Sequence, residues 1–309
     1  MSYEYTEEQK ITLNKLEELI QDKKSQKKVS ILLGMSDTVI SKLRSGSYTG
    51  NVEEQMQKIT DYFELEEQRE KLKINTISTD YVATSISSEI YEVLTICQIK
   101  GGLAVAAGDA GIGKTKAIQK YLKDHPNNTI SITMNTCFST VKSLLKTLAR
   151  RLNAGKSKPK DELWDAILDK LSDGMLLIVD EAQFLTYEQI EALRSFSDYF
   201  SDMGQTFGIA LVGNPQILFM MGSSRNDYSQ IINRRKITRV YQRTDIQRAD
   251  IQKLFPAVAD DKQKIDYLWK MSQTIQGIRG TVELYNTACQ NGECSYEGLV
   301  AVSKYMNIK

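Results

Sequence analysis

Histidine, cysteine and proline are scarce in this chain: one His, four Cys and four Pro in 309 residues. The lone His125 precedes Pro126 at the end of a polar helix, where solvent exposure is expected, and a catalytic or metal site built on histidine is disfavoured. Cys97, Cys137, Cys289 and Cys294 are scattered. The closest pair has four residues between them and no neighbouring His, which matches neither a zinc knuckle nor a redox C-x-x-C, so these read as structural or incidental thiols. No apolar run approaches the roughly 20 residues that cross a bilayer, and the N-terminus MSYEYTEEQK lacks a basic region followed by an apolar one. A cytoplasmic protein with no membrane partner is expected. Net charge is nearly absent too: 40 Lys and Arg against 39 Asp and Glu leave +1, so attraction to an acidic polymer must come from local patches. What is present is an ordinary soluble composition, 26% charged and 41% hydrophobic, in a chain too long for a single core.

Residues 6 to 66 read as helical. EEQKITLNKLEELIQ spaces Ile11, Leu13, Leu16, Leu19 and Ile20 at mostly helical intervals. SQKKVSILLGMSDTVISKLRSG then reads as two short helices around a turn at Gly34, with Ser36 or Asp37 as N-cap of the second and Gly46 past its end. That is the outline of a helix-turn-helix, closed by a further helix NVEEQMQKITDYFEL. A linker is expected at 67–80. From 81 to 244 apolar strands (LAVAAG, TISITM, MLLIVDE, FGIALVGN) alternate with helices, which argues for a parallel sheet covered on both faces. From 245 to 309 only helical patterns remain, the expected small C-terminal lid.

The words that carry chemistry lie on this alternating segment. GDAGIGKT fits the phosphate-loop pattern and sits between an apolar strand and a helix, where backbone N–H groups and the helix N-terminus converge on phosphate oxygens. Gly108, Asp109, Ala110, Gly111, Ile112, Gly113, Lys114, Thr115 and Lys116 are therefore nucleotide-binding candidates, Lys114 for the β- and γ-phosphates and Thr115 for Mg2+. LLIVDEAQ ends a buried strand in two carboxylates at the edge where open α/β sheets bind ligands, with Asp180 suited to the metal and Glu181 to polarising water. Asn214 ends the strand GIALVGN, where it also opens an Asn-Pro turn.

In this order GDAGIGKT, LLIVDEAQ and IALVGNP resemble the Walker A, Walker B and sensor 1 segments of the AAA+ ATPases, over roughly residues 78–305. The resemblance implies an α/β AAA+ P-loop domain that hydrolyses ATP with Mg2+, Asn214 helping to orient the attacking water. It also implies an arginine from a neighbouring subunit of a homo-oligomer, for which Arg234 or Arg235 in SQIINRRKITRV matches best, Arg225 and Arg239 less well. Arg279 in IQGIRGTVELYNTA matches the nucleotide-touching sensor 2 arginine of the lid.

The N-terminal module resembles the phage-repressor-like DNA-binding domains, whose second helix enters the major groove. Val39, Ile40 and Leu43 would face the core of this module, leaving Thr38, Ser41, Lys42 and Arg44 for bases or phosphates, with Lys23, Lys24, Lys27 and Lys28 upstream; such bundles also serve as protein docking modules, and the basic stretch Arg150 to Lys160 reads first as a solvated surface loop and second as a DNA contact. Module, core and lid together resemble the MuB-type ATPases of phages and mobile elements. That likeness implies assembly on double-stranded DNA without strong sequence preference, as a helical filament or ring, delivery of that DNA to a transposase, and disassembly on hydrolysis. A helicase loader or replication initiator of the DnaC and IstB kind, or a nucleotide-gated transcription regulator, would share many of the same words.

Overall fold

The computed structural model describes residues 3, 5–74, 81–155, 159–218 and 235–308, with side chains described outside 68–74 and 235–236. By its internal contacts the chain divides into two compact units, Met1–Thr76 and Ile77–Lys309.

In the first unit, α1 (Glu7–Lys23) starts at a capping box between Thr6 and Gln9 and ends at Lys24 in a left-handed conformation. Next come α2 (Gln26–Leu32), capped by Ser25, and α3 (Asp37–Arg44), whose N-cap is Ser36: its hydroxyl accepts the Val39 N–H. The two are joined through Gly34 at φ +63°. α4 (Val52–Ile74) runs past residue 66, so the first residues of the expected linker are helical. Leu16, Val29, Met35, Ile40, Leu43, Val52, Met56 and Ile59 form one core shared by all four helices. Val39 packs against that core only in part.

The second unit is built on a parallel sheet of order β2-β3-β4-β1-β5. Its strands are β1 (Gly102–Gly108), β2 (Thr129–Thr133), β3 (Met175–Asp180), β4 (Phe207–Gly213) and β5 (Arg235–Tyr241). Side chains alternate between two cores, as a pleated strand requires. Ala104, Ala106, Leu176, Ile178, Ala210 and Val212 face α5 (Ser85–Lys100) and α6 (Lys114–Asp124). Leu103, Val105, Leu177, Val179, Ile209 and Leu211 face α7 (Val141–Arg151), α8 (Lys160–Leu168) and α9 (Tyr187–Asp202).

The C-terminal helices are α10 (Arg248–Leu254), α11 (Lys262–Ser272), α12 (Gly277–Gln290) and α13 (Tyr296–Tyr305). Their apolar residues, Ile251, Phe255, Leu268, Leu284 and Leu299 among them, belong to the same core as α5 and α6. The lid is thus continuous with one face of the sheet. Buried Asp250 reinforces the junction by accepting the N–H (2.7 Å) and hydroxyl (3.0 Å) of Ser85 at the start of α5.

Three expectations need correction. β5 was not foreseen as a strand. Cys289 and Cys294 form a disulfide between the end of α12 and the start of α13. His125 is half-buried, its ring 4.4 Å from that of Tyr121 and its Nε2 3.2 Å from the Tyr91 hydroxyl. Among the described residues no helix is long and apolar enough to cross a membrane.

Candidate functional site

β1 delivers the loop Gly108–Gly113 to the C-terminal edge of the sheet, and α6 begins immediately after it at Lys114. Gly113, at φ +100°, is the N-cap and offers no capping side chain, so the first N–H groups of α6 are left for an anion. In the loop Gly108 and Ile112 are buried, Asp109, Gly111 and Gly113 half-buried, and Ala110 exposed; Thr115 and Lys116 are exposed at the mouth. The Lys114 ammonium donates to the carbonyls of Gly108 (2.8 Å) and Asp109 (2.7 Å), folding back across the loop. Burial pushes its pKa below the usual lysine range, opposed by the negative charges of Glu181, Asp180 and Asp109.

The Thr115 hydroxyl donates to Asp180 Oδ2 at 3.0 Å. Asp180, 5% exposed, is raised above the ordinary carboxylate range by burial, against the opposing pull of the Glu181 N–H and the Thr115 hydroxyl. A hydroxyl and a carboxylate held together at the phosphate loop are hard oxygen donors of the kind Mg2+ takes, and phosphate oxygens and water would complete its octahedron. Among the described residues no group of three His, Cys, Asp or Glu could hold a metal without that help.

β4 lies between β1 and β3, so its end brings Asn214 between the phosphate loop and the two carboxylates. The Asn214 side chain is occupied locally: its Oδ1 accepts the Gln216 N–H at 2.9 Å, forming the turn with Pro215. Glu181 adopts φ +53°, a left-handed conformation that costs a non-glycine residue about 1–2 kcal/mol. Its carboxylate accepts a hydrogen bond from the Gln183 amide, whose oxygen accepts the Asn214 N–H at 3.1 Å. Gln183 was not singled out from the sequence.

The lid reaches the loop directly. The Arg279 N–H donates to Gly111 O (3.3 Å), and Gly277, at φ +62°, lies so close that a Cβ there would stand 2.9 Å from Ala110 O and 3.0 Å from Gly111 O. The Arg279 side chain is exposed, with its charge felt at Lys114. Arg243, also missed in the sequence, ties both sides together. Its N–H and Nε donate to Asp109 Oδ2 (3.0 and 3.2 Å), and its Nη1 donates to Thr274 O (3.1 Å) just before α12. No short-range pattern flags a pair 134 residues apart.

Arg234 and Arg225 lie outside the described residues. Arg235 opens β5 and pairs with Leu103, whereas the loop end of the same ladder pairs Gly108 with Tyr241. At about 3.3 Å per residue, the Arg235 backbone starts some 16 Å from its own phosphate loop. Arg239 is exposed and pairs mid-ladder with Ala106.

In the N-terminal unit Lys27, Lys28, Thr38, Ser41 and Lys42 are exposed. Arg44 is a correction: it forms a two-armed ion pair with Glu17 of α1 and also donates to Gln26 (2.6 Å), so its guanidinium ties α3 to α1 and α2 instead of standing free.

Comparison with known proteins agrees with this geometry. The AAA domain family model matches residues 99–221, which hold the phosphate loop and both carboxylates. The chain is 28% identical over 291 residues to the Mu-like prophage FluMu DNA transposition protein B of Haemophilus influenzae, covering 91% of this chain and 96% of that protein. It is 24% identical over 265 residues to the ATP-dependent target DNA activator B of Escherichia phage Mu, covering 82% and 79%. Residues 99–221 form an AAA ATPase domain, and the chain is similar along most of its length to the Mu-type transposition B proteins. The fold also matches the Aeropyrum pernix ORC2 protein, solved in ADPNP-ADP complexes, with a TM-score of 0.53 and 13% identity over 77% of this chain and 72% of that one.

Proposed function

We propose that the protein is an ATP-dependent target-DNA activator: it assembles on double-stranded DNA in the ATP state, presents that DNA to a transposase, and leaves it on hydrolysis. The observation that carries this reading is similarity to the transposition B proteins over nearly the whole chain, combined with a phosphate loop, an Asp180–Glu181 pair and a lid gathered around one site.

ATP with Mg2+ supplies the reacting phosphate and neutralises its charge; the rest is done by the chain's own residues. Lys114 would exchange the carbonyls of Gly108 and Asp109 for phosphate oxygens, replacing two neutral acceptors with anionic ones. Thr115 and Asp180 would hold the metal, Glu181 would take the proton of the attacking water, and Asn214 would mark the γ-phosphate end of the pocket. Arg279, at the first turn of α12, closes over the nucleotide. Arg234 or Arg235 serves a neighbouring subunit's nucleotide, a role supported by the start of β5 lying at the opposite end of the sheet from its own loop. A head-to-tail contact of that kind builds a filament or a ring.

Two surfaces support DNA binding. Lys27, Lys28, Thr38, Ser41 and Lys42 are exposed on the N-terminal unit. In the ATPase unit Lys142, Lys146 and Arg150 recur every fourth residue along α7, all exposed, on a helix with no acidic residue and with no ion pair to them among the described residues. They form a row of cations along one exposed face of the helix, rising about 6 Å per step, that can follow a phosphate backbone. Electron microscopy and footprinting on unrelated duplexes with a slowly hydrolysed ATP analogue test the reading. Continuous ATP-dependent coverage is expected; a single short sequence-specific footprint would overturn it.

A further inference from the structure

The Walker B strand ends in Asp180 and Glu181, and two residues later Gln183 spans the gap to the neighbouring strand. Its two amide atoms have distinct partners. Nε2 donates to the Glu181 carboxylate, and Oε1 accepts the backbone N–H of Asn214, 31 residues away. The polarity of the bridge is fixed chemically, because turning the amide over would set an oxygen against a carboxylate and an N–H against an N–H. The bridge also depends on a missing side chain. A Cβ on Gly213 would stand 2.5 Å from Gln183 Oε1 and 3.1–3.2 Å from the backbone nitrogens of Ala182 and Gln183, so only glycine at the end of β4 lets the amide lie there. Glu181 itself stands on a left-handed backbone, which orients its side chain away from an ordinary strand end and toward this amide.

We propose that Gln183 is a positioning residue for hydrolysis: it aims the Glu181 carboxylate and couples that aim to the end of β4, where Asn214 sits beside the phosphate loop. The inference rests on the reading of Glu181 as the group that takes the proton of the attacking water. One carboxylate oxygen is held by the amide and the other is left for water. A movement of the Asn214–Gln216 turn on nucleotide binding pulls on Oε1 and, through a rigid planar amide, on the carboxylate. Glutamine alone among common side chains has the length and the paired donor and acceptor for this. Glu at 183 keeps the length but brings a second carboxylate to Glu181, and Met keeps the volume but makes neither bond.

The test measures kcat and KM of steady-state ATP hydrolysis, ATP affinity and thermal stability for the full chain carrying Gln183→Met, Gln183→Glu or Glu181→Gln. Expected for Gln183→Met is a fall in kcat of about ten- to hundredfold with KM and ATP affinity held, the size of loss that follows displacement of a reacting group by about 1 Å. For Gln183→Glu, which keeps the length but sets a second carboxylate against Glu181, kcat falls likewise while KM and ATP affinity hold. Wild-type kcat in Gln183→Met overturns the proposal. So does a parallel loss of kcat, ATP affinity and melting temperature in both Gln183 variants, the mark of a purely structural role. Glu181→Gln separates the two levels: if it hydrolyses ATP at the wild-type rate, the reading of Glu181 fails and the proposal with it, whereas an inactive Glu181→Gln beside an unaffected Gln183→Met refutes the proposal alone.

Discussion

Replacing Gly277 with Ala tests how tightly the lid is seated on the phosphate loop. The residue has φ +62°, where an L-side chain costs about 1–2 kcal/mol. The new methyl would also stand 2.9 Å from Ala110 O, 3.0 Å from Gly111 O and 3.1 Å from Gly111 C. All three are backbone atoms of the loop, so no side chain can rotate away, and either α12 or the loop must shift; overpacking of this kind costs about 1–3 kcal/mol. Together the two effects come to about 2–5 kcal/mol. For a unit of this size, a loss of about 4 °C or more in melting temperature follows, accompanied by weaker ATP binding because the loop is displaced. Gly174→Ala is the control: φ is +74° there and nothing lies within 4 Å of the added Cβ, so it isolates the backbone effect. Thermal melts with and without ATP, together with ATP titration, read both quantities. If Gly277→Ala melts with Gly174→Ala and binds ATP as the wild type does, the close contact between lid and loop is refuted.

Lys114→Ala is expected to abolish ATP binding in a direct titration, whereas Glu181→Gln should bind ATP and barely hydrolyse it; unchanged affinity in the Lys114 variant would refute the assignment of the loop. Burial raises the Asp180 pKa in the folded chain, so between the ordinary aspartate value of about 4 and that raised value the folded state holds more protons than the unfolded one, and stability falls as pH rises through this window. Asp180→Asn should therefore melt higher than wild type at pH 7–8 without nucleotide, with the advantage shrinking toward pH 4, while losing Mg2+-dependent hydrolysis; an equal or lower melting temperature at pH 7–8 would contradict the burial argument. Changing Lys142, Lys146 and Arg150 together to Gln should weaken ATP-dependent DNA binding and flatten the slope of log affinity against log salt by about 3, with ATP affinity intact. An unchanged salt slope would remove α7 from the DNA contact.

The candidate nucleotide site was legible because its chemistry is local. GDAGIGKT and LLIVDEAQ are contiguous words, and folding only had to bring Thr115 to Asp180. Parallel strands buried on both faces announce themselves as apolar runs, which is why β1, β3 and β4 were found. The edge strand β5, RKITRVY, carries three basic residues and so lacks the apolar run of a buried strand. Gln183 and Arg243 were missed for a different reason. Each acts by joining groups that the sequence separates, Glu181 to the end of β4 and Asp109 to the lid, and no periodicity encodes such a pairing. Arg44 shows the converse error. An arginine on the outer face of a short helix looks free until Glu17, 27 residues earlier, is folded against it.

The ladder between β1 and β5 gives each subunit a direction. With the loop at one end and Arg235 at the other, Arg235, if it serves a nucleotide as proposed, would serve that of the next molecule. In an open row of n such subunits, one terminal nucleotide receives no arginine and one terminal arginine has no nucleotide, so only n − 1 sites are complete. Turnover per molecule would then rise with the length of the row toward a plateau, and short rows on short DNA would persist longest in the ATP state. A closed ring has no such ends, and its turnover per molecule would be independent of DNA length.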